Sequence, residues 1–395
     1  MWKLSENKTW QHLYETFDWI RAMRGVPQDA RHHAEGDVEV HTRMVIDELG
    51  KLDEFQQLDA QAQQILWASA LMHDIEKRST TVLEQDGSIT SKGHAKKGER
   101  TVRQILYREI PTPFAIREAI AKLVRYHGLP LWIFEKENPE KALYQASIEV
   151  NLQWLTMLAK ADVLGRECAD KEELLYKVEL FKEFCIEKDC WGTQKNFPSD
   201  LARFEYFNKE ARSSDYVPYE DKENYFEVIV LSALPGTGKD TYIRKQLAEV
   251  PVISLDNIRR ELKISPTDKE GNGKVIQLAK EQARAYLRKK QAFVWNATNI
   301  TRQNRQQLID LFVSYGASIN LIYLEVPYLQ LINQNRNREH VVPANVLERM
   351  LDKLEVPQLH EAHRVVYEVL LPPCDVRPKS PSPEKGAAAA RRGTF

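Results

Sequence analysis

The stretch FEVIVLSALPGTGKDTYI, residues 226–243, joins an apolar run to a glycine-rich turn and then to a helical pattern. Its first half has the β-branched and aromatic character of a buried strand. Gly236 and Gly238 let the backbone turn its N–H groups toward one point, and the helix that begins behind them adds a dipole that favours an anion. Lys239 supplies a cation at the same place. The stretch therefore predicts a strand–loop–helix unit that binds phosphate.

Short apolar runs and helical patterns alternate on the carboxyl-terminal side of this unit. Besides the first strand, the runs predict strands at 251–254, 292–295 and 318–326. The patterns between them predict helices near 272–290, 301–315, 327–337 and 343–353. Such alternation implies a parallel sheet with helices on both faces. We therefore predict an α/β domain over residues 225–370.

The chain before this domain reads as helical throughout, so residues 1–212 are predicted to form an all-α domain. Apolar residues recur there at helical spacing, for example from Leu143 to Ala161, and the run from Ile65 to Met72 is almost wholly apolar. The polar segment SSDYVPYEDKEN, residues 213–224, is predicted to be a linker. Residues 371–395 are rich in proline, alanine and charge, which predicts a disordered tail. The chain is thus expected to be multidomain.

Composition is that of a globular protein, with 43% hydrophobic and 29% charged residues. No apolar run is long enough for a membrane span, and the start lacks the apolar stretch of a signal peptide. Four cysteines without a CxxC pair favour reduced thiols, so we expect a cytoplasmic protein with no membrane partner. The net charge of −1 divides into −8 for residues 1–224, +4 for 225–370 and +3 for 371–395. A basic second half suits phosphate-bearing ligands, although +4 alone does not indicate nucleic-acid binding.

A set of histidines and aspartates in the helical half predicts a metal centre. The pair His73-Asp74 ends the apolar run, where a carboxylate is costly unless it is hydrogen-bonded or bound to a cation. An isolated His-Asp pair is a weak signal, and the prediction depends on the whole set. Imidazole and carboxylate together are ligands for Zn, Mn, Fe, Co or Ni. The candidate ligands are His41, His73, Asp74, His94, His127 and Asp162.

The order of these residues resembles the HD phosphohydrolase superfamily. The matching strings are HTRMV (41–45), LMHDIEK (71–77), GHAKKG (93–98), YHG (126–128) and KADVLGR (160–166). The resemblance implies a first ion on His41, His73, Asp74 and Asp162, and a second on His94 and His127 with Asp74 bridging. It also implies two divalent transition metals that activate a water to attack phosphorus, with Asp74 as a catalytic ligand. His33 is expected near the pocket as a proton donor to the leaving oxygen.

The phosphate loop departs from the usual pattern Gly-x-x-x-x-Gly-Lys-Ser/Thr at two positions. Ala233 replaces the first glycine, and Asp240 stands where a hydroxyl normally contacts Mg²⁺. A carboxylate is an adequate oxygen ligand for Mg²⁺, yet it adds negative charge beside the phosphates. We predict that ATP or another nucleoside triphosphate binds here with Mg²⁺. The residues expected to bind it are Leu234, Pro235, Gly236, Thr237, Gly238, Lys239, Asp240, Thr241, Arg336 and Arg338.

Polar residues downstream of the loop resemble the kinase domain of phage-type 5′-OH polynucleotide kinases. The segment DNIR, residues 256–259, follows the second strand, and NQNRNREHVVP could fold over a triphosphate as a lid. The resemblance implies a catalytic set of Lys239, Asp256 as base, Arg259, and Arg336 in the lid. That family commonly has an acid near the position of Asn296, and this chain lacks it.

Taken over residues 1–370, the order of the two halves resembles the bacterial HD-Pnk family, in which an HD phosphoesterase is fused to a polynucleotide kinase. The resemblance implies removal of 2′,3′-cyclic phosphates and 2′-phosphates, and phosphorylation of 5′-OH ends by a nucleoside triphosphate. Its expected partners are RNA or DNA ends and a polynucleotide ligase. Two alternatives stay open. One is a nucleotide-pool enzyme that joins an HD nucleotide phosphohydrolase to a small-metabolite kinase. The other is a nucleotide-sensing regulator with a degenerate loop, which Asp240 and Asn296 favour.

Overall fold

The computed structural model describes residues 1–209, 212–220, 223 and 225–370. The predicted tail at 371–395 and part of the predicted linker lie outside these residues. Among the described residues, no helix combines the length and the apolar character that crossing a membrane requires.

The amino-terminal half is helical, as predicted. Its helices are α1 (Trp10–Thr16), α2 (Asp18–Arg21), α3 (Val38–Lys51), α4 (Asp53–Gln56), α5 (Ala60–Met72), α6 (Lys77–Thr80), α7 (His94–Arg108), α8 (Phe114–Tyr126), α9 (Leu129–Trp132), α10 (Pro139–Ser147), α11 (Leu152–Leu164), α12 (Lys171–Glu187) and α13 (Asp200–Asn208), with a 3₁₀ turn at Ile133–Glu135. One addition to the expected helices is a short antiparallel ribbon of β1 (Val82–Leu83) and β2 (Ile89–Thr90).

Helix α5 lies at the centre of this half. Every residue from Ile65 to Met72 is buried, because α3, α8 and α11 pack around it. Two of these neighbours, α3 and α11, begin at side-chain caps that satisfy backbone N–H groups. Asp37 caps α3 through Val40 N–H, and Asn151 caps α11 through the N–H groups of the second and third residues that follow it. These caps fix where the polar residues of α3 and α11 face the central helix.

The carboxyl-terminal half is a parallel sheet with helices on both faces, which confirms the predicted class. Its elements are β3 (Glu227–Ala233), α14 (Lys239–Gln246), β4 (Val252–Ser254), α15 (Leu255–Glu261), α16 (Lys269–Arg288), β5 (Phe293–Asn296), α17 (Arg302–Val313), β6 (Ser318–Glu325), α18 (Tyr328–Arg336), α19 (Ala344–Lys353) and β7 (Arg364–Val369). The strand order is β4-β5-β3-β6-β7, and all neighbouring pairs are parallel. All strands therefore present their carboxyl ends at one edge, where ligands bind in such sheets.

The strands predicted from the apolar runs correspond to β3–β6, whereas β7 was missed. This strand lies at the edge of the sheet, and its side chains are half-buried or exposed. Arg364 and Glu368 interrupt its apolar residues, so the continuous-run signal that found β3–β6 is weak there.

Helices α7 and α8 form a hairpin that reaches from the helical half into the α/β half. Near the tip of the hairpin, Tyr107 Oη donates to the carbonyl of Val326 at 2.7 Å. Arg117 donates from Nη1 and Nη2 to the two carboxylate oxygens of Glu325, both at 2.8 Å. This ion pair is buried on both sides. The two halves are thus joined through an interior contact as well as through the chain.

Candidate metal centre and phosphate loop

The six predicted metal ligands come together in the helical half. His41 is the fourth residue of α3, and Asp162 lies near the end of α11. His73 and Asp74 follow the last residue of α5. His94 begins α7, and His127 follows the end of α8. Helix ends therefore supply most of the ligands, so the centre forms where several helices converge on α5.

Two groups of donor atoms share Asp74. In the first, His41 Nε2 lies 3.8 Å and His73 Nε2 3.2 Å from Asp74 Oδ2. Asp162 Oδ1 lies 3.1 Å from His41 Nε2 on the same side. Donor atoms of His41, His73 and Asp74 all fall within 4.8 Å of one another. This spacing suits one cation.

The second group lies on the other oxygen of Asp74. His94 Nε2 is 3.3 Å and His127 Nε2 3.8 Å from Asp74 Oδ1. The two imidazole nitrogens are 3.2 Å apart. The donor atoms of these three residues also lie within 4.8 Å of one another. The geometry is therefore compatible with the expected arrangement, in which Asp74 contributes one oxygen to each group.

Backbone carbonyls orient three of the four histidines. Nδ1 of His73 lies 2.7 Å from Ala70 O, Nδ1 of His94 lies 2.7 Å from Ser91 O, and Nδ1 of His127 lies 2.8 Å from Val124 O. A hydrogen bond donated from Nδ1 fixes the tautomer and leaves the Nε2 lone pair free for a metal. The rings are thus held in the form that ligands require.

Divalent cations fit this donor set. Asp74 Oδ1 and His73 Nε2 are buried and have no hydrogen-bond partner among the described residues, which is costly unless a cation binds them. Burial lowers the pKa of His127 to about 3, so its imidazole is neutral near pH 7. Burial opposes ionisation of Asp74 and Asp162, but nearby cations outweigh it and hold the pKa of each well below its usual range. Neutral imidazoles and charged carboxylates are the forms that bind transition metals.

The sequence analysis missed two positively charged side chains beside the candidate metal centre. Lys77 Nζ lies 2.7 Å from Asp74 Oδ2, and Arg166 donates to both oxygens of Asp162 at 3.1 and 2.6 Å. Each follows its aspartate by one helical turn, within the strings LMHDIEK and KADVLGR. That spacing was the available signal, since residues three and four apart share a helix face.

His33 lies beside the first group, as expected. Its ring centroid is 4.6 Å from that of His41, and its Nδ1 is 2.8 Å from Glu35 Oε1. Burial lowers the pKa of His33 to about 4. The predicted role as proton donor therefore requires that a bound phosphate raise this pKa again.

The phosphate loop follows β3 at the carboxyl edge of the sheet. Gly236 and Gly238 have φ angles of +89° and +91°, which side-chain-bearing residues rarely adopt. Lys239 Nζ donates to the carbonyls of Leu234 at 3.0 Å and Ala233 at 3.3 Å. Burial lowers the pKa of Lys239 to about 8. Two backbone carbonyls of the loop thus hold the ammonium group of Lys239 at the start of α14.

A cavity of about 610 Å³ opens above the loop. Residues 235–242, Asp256, Glu325 and Arg338 line it, among others. Its volume lies within the usual range for small-molecule sites. Arg336, the other predicted lid residue, is exposed at the end of α18. The structure therefore brings Arg338 to the wall of the cavity.

The remaining predicted kinase residues lie at the same edge. Asp256 is in α15, directly after β4, and forms an ion pair with Arg259. Arg259 also donates from Nε to Asn272 Oδ1 at 2.8 Å. The arginine is held on two sides, while the carboxylate of Asp256 stays exposed to solvent.

Two of the three residues that depart from the expected kinase pattern contact each other. Asn296, buried at the end of β5, donates from Nδ2 to Asp240 Oδ1 at 2.9 Å. The amide thereby orients a carboxylate at the position where the loop normally presents a hydroxyl to Mg²⁺. A site for Mg²⁺ is therefore compatible with these residues.

Comparison with protein families agrees with this geometry. Residues 38–158 match the family model of the HD domain, and residues 228–357 match the AAA domain model AAA_33. The chain combines an HD domain with a P-loop kinase-like domain. The HD domain contains most of the candidate metal ligands, and the P-loop domain contains the cavity over the phosphate loop.

Individual similar proteins cover parts of the chain. A multifunctional CCA protein from Methylococcus capsulatus is 34% identical over 117 residues, which is 30% of this chain and 25% of that protein. The chain thus spans about a quarter of this curated relative. A sugar kinase structure from Janibacter is 20% identical, with a TM-score of 0.30, and covers 38% of this chain and 87% of its own. A gluconokinase structure from Sinorhizobium meliloti is 17% identical, with a TM-score of 0.29, and covers 38% and 85%.

Proposed function

We propose that this protein heals broken nucleic-acid ends. The HD domain would remove 2′,3′-cyclic phosphates and 2′-phosphates, and the P-loop domain would phosphorylate 5′-OH ends. The supporting observation is that one chain carries both a two-group metal centre and a phosphate loop with Asp256 beside its cavity. Acting on one small molecule, phosphate removal and phosphate addition would cancel. Acting on the two ends of a broken strand, they produce the 3′-OH and 5′-phosphate that a polynucleotide ligase joins.

Each set of residues has a distinct task in the hydrolase reaction. Cations on the six ligands would supply Lewis acidity and an activated water for attack on phosphorus. Asp74 bridges the two groups and fixes their separation. Lys77 and Arg166 place positive charge beside the ligand carboxylates. These positive charges would reduce the repulsion between the carboxylates of Asp74 and Asp162 and a negatively charged phosphate ester.

The kinase reaction uses the edge of the parallel sheet. Loop N–H groups and Lys239 would bind the triphosphate, with Mg²⁺ supplied by the nucleotide complex. Asp256 would accept the proton of the 5′-hydroxyl, and Arg259 would hold that carboxylate in place through their ion pair. Arg338, on the cavity wall, and Arg336, at the end of α18, would stabilise charge on the transferring phosphoryl group.

A single assay tests this proposal. The protein is incubated with ATP, Mg²⁺, a transition metal and an RNA that carries 5′-OH and 2′,3′-cyclic phosphate ends, and both ends are analysed by mass. We expect His73→Ala to lose only the 3′-end reaction and Lys239→Ala to lose only the 5′-end reaction. DNA with a 5′-OH end, run alongside, reports whether the kinase accepts both polymers.

Two other outcomes would replace the proposal. Turnover of free nucleotides or small alcohols with untouched RNA ends would indicate a nucleotide-pool enzyme, to which a cavity of about 610 Å³ is also suited. Nucleotide binding without any transfer would indicate a regulator whose loop is altered at Asp240.

A further inference from the structure

One histidine of the metal centre is oriented differently from the other three. His73, His94 and His127 lie at helix ends, where a carbonyl three residues earlier accepts a hydrogen bond from Nδ1. His41 lies inside α3, and the carbonyls of a helix interior are engaged in the helix itself. Its Nδ1 lies 2.8 Å from Oε1 of Glu35 instead. Among the four candidate histidine ligands, which all lie in the described part of the chain, His41 alone has a side chain and not a backbone carbonyl next to its Nδ1.

Glu35 is itself held in place. Its side chain is 1% exposed. Oε1 also lies 2.8 Å from Nδ1 of His33, and Oε2 accepts the N–H of Glu167 at 2.9 Å. In return, Ala34 N–H donates to the carbonyl of Glu167 at 2.9 Å. Glu167 follows the helix that carries Asp162, so Glu35 joins the elements that supply two of the first ion's ligands.

We propose that Glu35 is a positioning residue of the metal centre. Its carboxylate oxygen, 2.8 Å from His41 Nδ1, would accept the Nδ1–H and so present the His41 Nε2 lone pair to the first ion. The same oxygen accepts from His33, which fixes the two rings relative to each other. Glu35 lies outside residues 38–158 that match the HD domain model, so this contact is additional to the matched region. Carboxylate partners of metal-bound histidines typically contribute 10- to 100-fold to metal affinity.

The first experiment measures metal binding by the full-length protein without any substrate. Metal-free wild type, Glu35→Gln and the control Glu39→Gln are titrated with Mn²⁺ in competition with a chelator. Glu39 lies on α3, which also carries His41, and accepts from Trp10 Nε1 at 2.9 Å, away from the ligands. We expect Glu35→Gln to weaken one of the two binding steps by 10- to 100-fold and to change the visible spectrum of the Co²⁺ form. Glu39→Gln should match wild type in both measurements.

A second measurement does not depend on how the variant folds. Histidine nitrogen NMR of the metal-free wild type reports the tautomer of each ring, and a His41→Gln spectrum assigns the signal. We expect His41 to carry its proton on Nδ1. An Nε2–H tautomer at His41, or wild-type Mn²⁺ affinity and Co²⁺ spectrum in folded Glu35→Gln, overturns the proposal. The inference rests on the metal centre of the HD domain, and none of these measurements requires the proposed reaction on nucleic-acid ends. Its failure is therefore distinguishable from failure of the end-healing assay.

Discussion

Replacing Arg117 by Met tests the contact between the two halves. The guanidinium is 1% exposed and donates two hydrogen bonds to Glu325, whose side chain is 6% exposed. Met keeps much of the volume but removes the charge, so Glu325 is left as a buried carboxylate. Glu325 keeps the hydrogen bond that Tyr323 Oη donates to its Oε2 at 2.7 Å. Breaking a buried pair in this way typically costs about 3–5 kcal/mol.

Thermal unfolding measures this loss. Entropies of unfolding near 2 cal/mol/K per residue give roughly 0.8 kcal/mol per degree for a chain of this size, so we expect Tm to fall by about 4–6 °C. The decisive comparison is with the double variant Arg117→Met/Glu325→Leu, which removes the orphaned charge. Because well-packed apolar residues often replace a buried ion pair without loss, the double variant should be more stable than Arg117→Met. A double variant that is no more stable than the single one would refute this reasoning.

Three further predictions concern the two sites. Burial lowers the pKa of Lys239 to about 8, so above that pH the lysine must take up a proton when ATP binds. ATP affinity should therefore fall above about pH 8, with a slope that approaches tenfold per pH unit. A Kd that stays constant from pH 7 to 9.5 contradicts this. Asp240→Asn should reduce the gain in ATP affinity that Mg²⁺ provides by about tenfold, and adding Asn296→Asp, which returns a carboxylate to the 2.9 Å contact, should recover part of it in calorimetric titrations. Chelation should lower Tm and Mn²⁺ should restore it, because Mn²⁺ at 100 times its Kd adds about 2.7 kcal/mol to the free energy of unfolding. His73→Ala should not respond, and equal responses of both proteins would contradict the assigned centre.

Much of the fold could be predicted because its signals are local. The apolar runs of strands β3–β6 and the wholly apolar run from Ile65 to Met72 can each be recognised within a few residues. The structure places them as predicted. Edge strand β7 was missed because half-exposed strands lack that signal. The loop glycines were also readable, since a turn toward phosphate requires left-handed backbone that glycine provides.

The candidate metal ligands were predicted from the order of short strings, and the structure places these residues close together. Contacts between distant segments could not be found in this way. Glu35 acts across the space between two helices, and the Arg117–Glu325 pair joins positions 208 residues apart. Asp240 and Asn296 were each noted as departures, but their contact depends on the register of β5 beside β3. Such pairings arise from packing, which no single segment encodes.

Because of the α7–α8 hairpin, the two halves of the protein do not separate in space where they separate along the sequence. Its open end carries His94 and His127, while its tip, with Tyr107 and Arg117, is set into the kinase-like half. The helices have 15 and 13 residues, so the hairpin spans roughly 20 Å. A chimaera made by exchanging halves at the linker would place a foreign sheet against this tip and leave Arg117 without its carboxylate. Recombination of such enzymes should therefore keep the hairpin tip matched to the sheet it enters, although the two are separated by some 200 residues of chain.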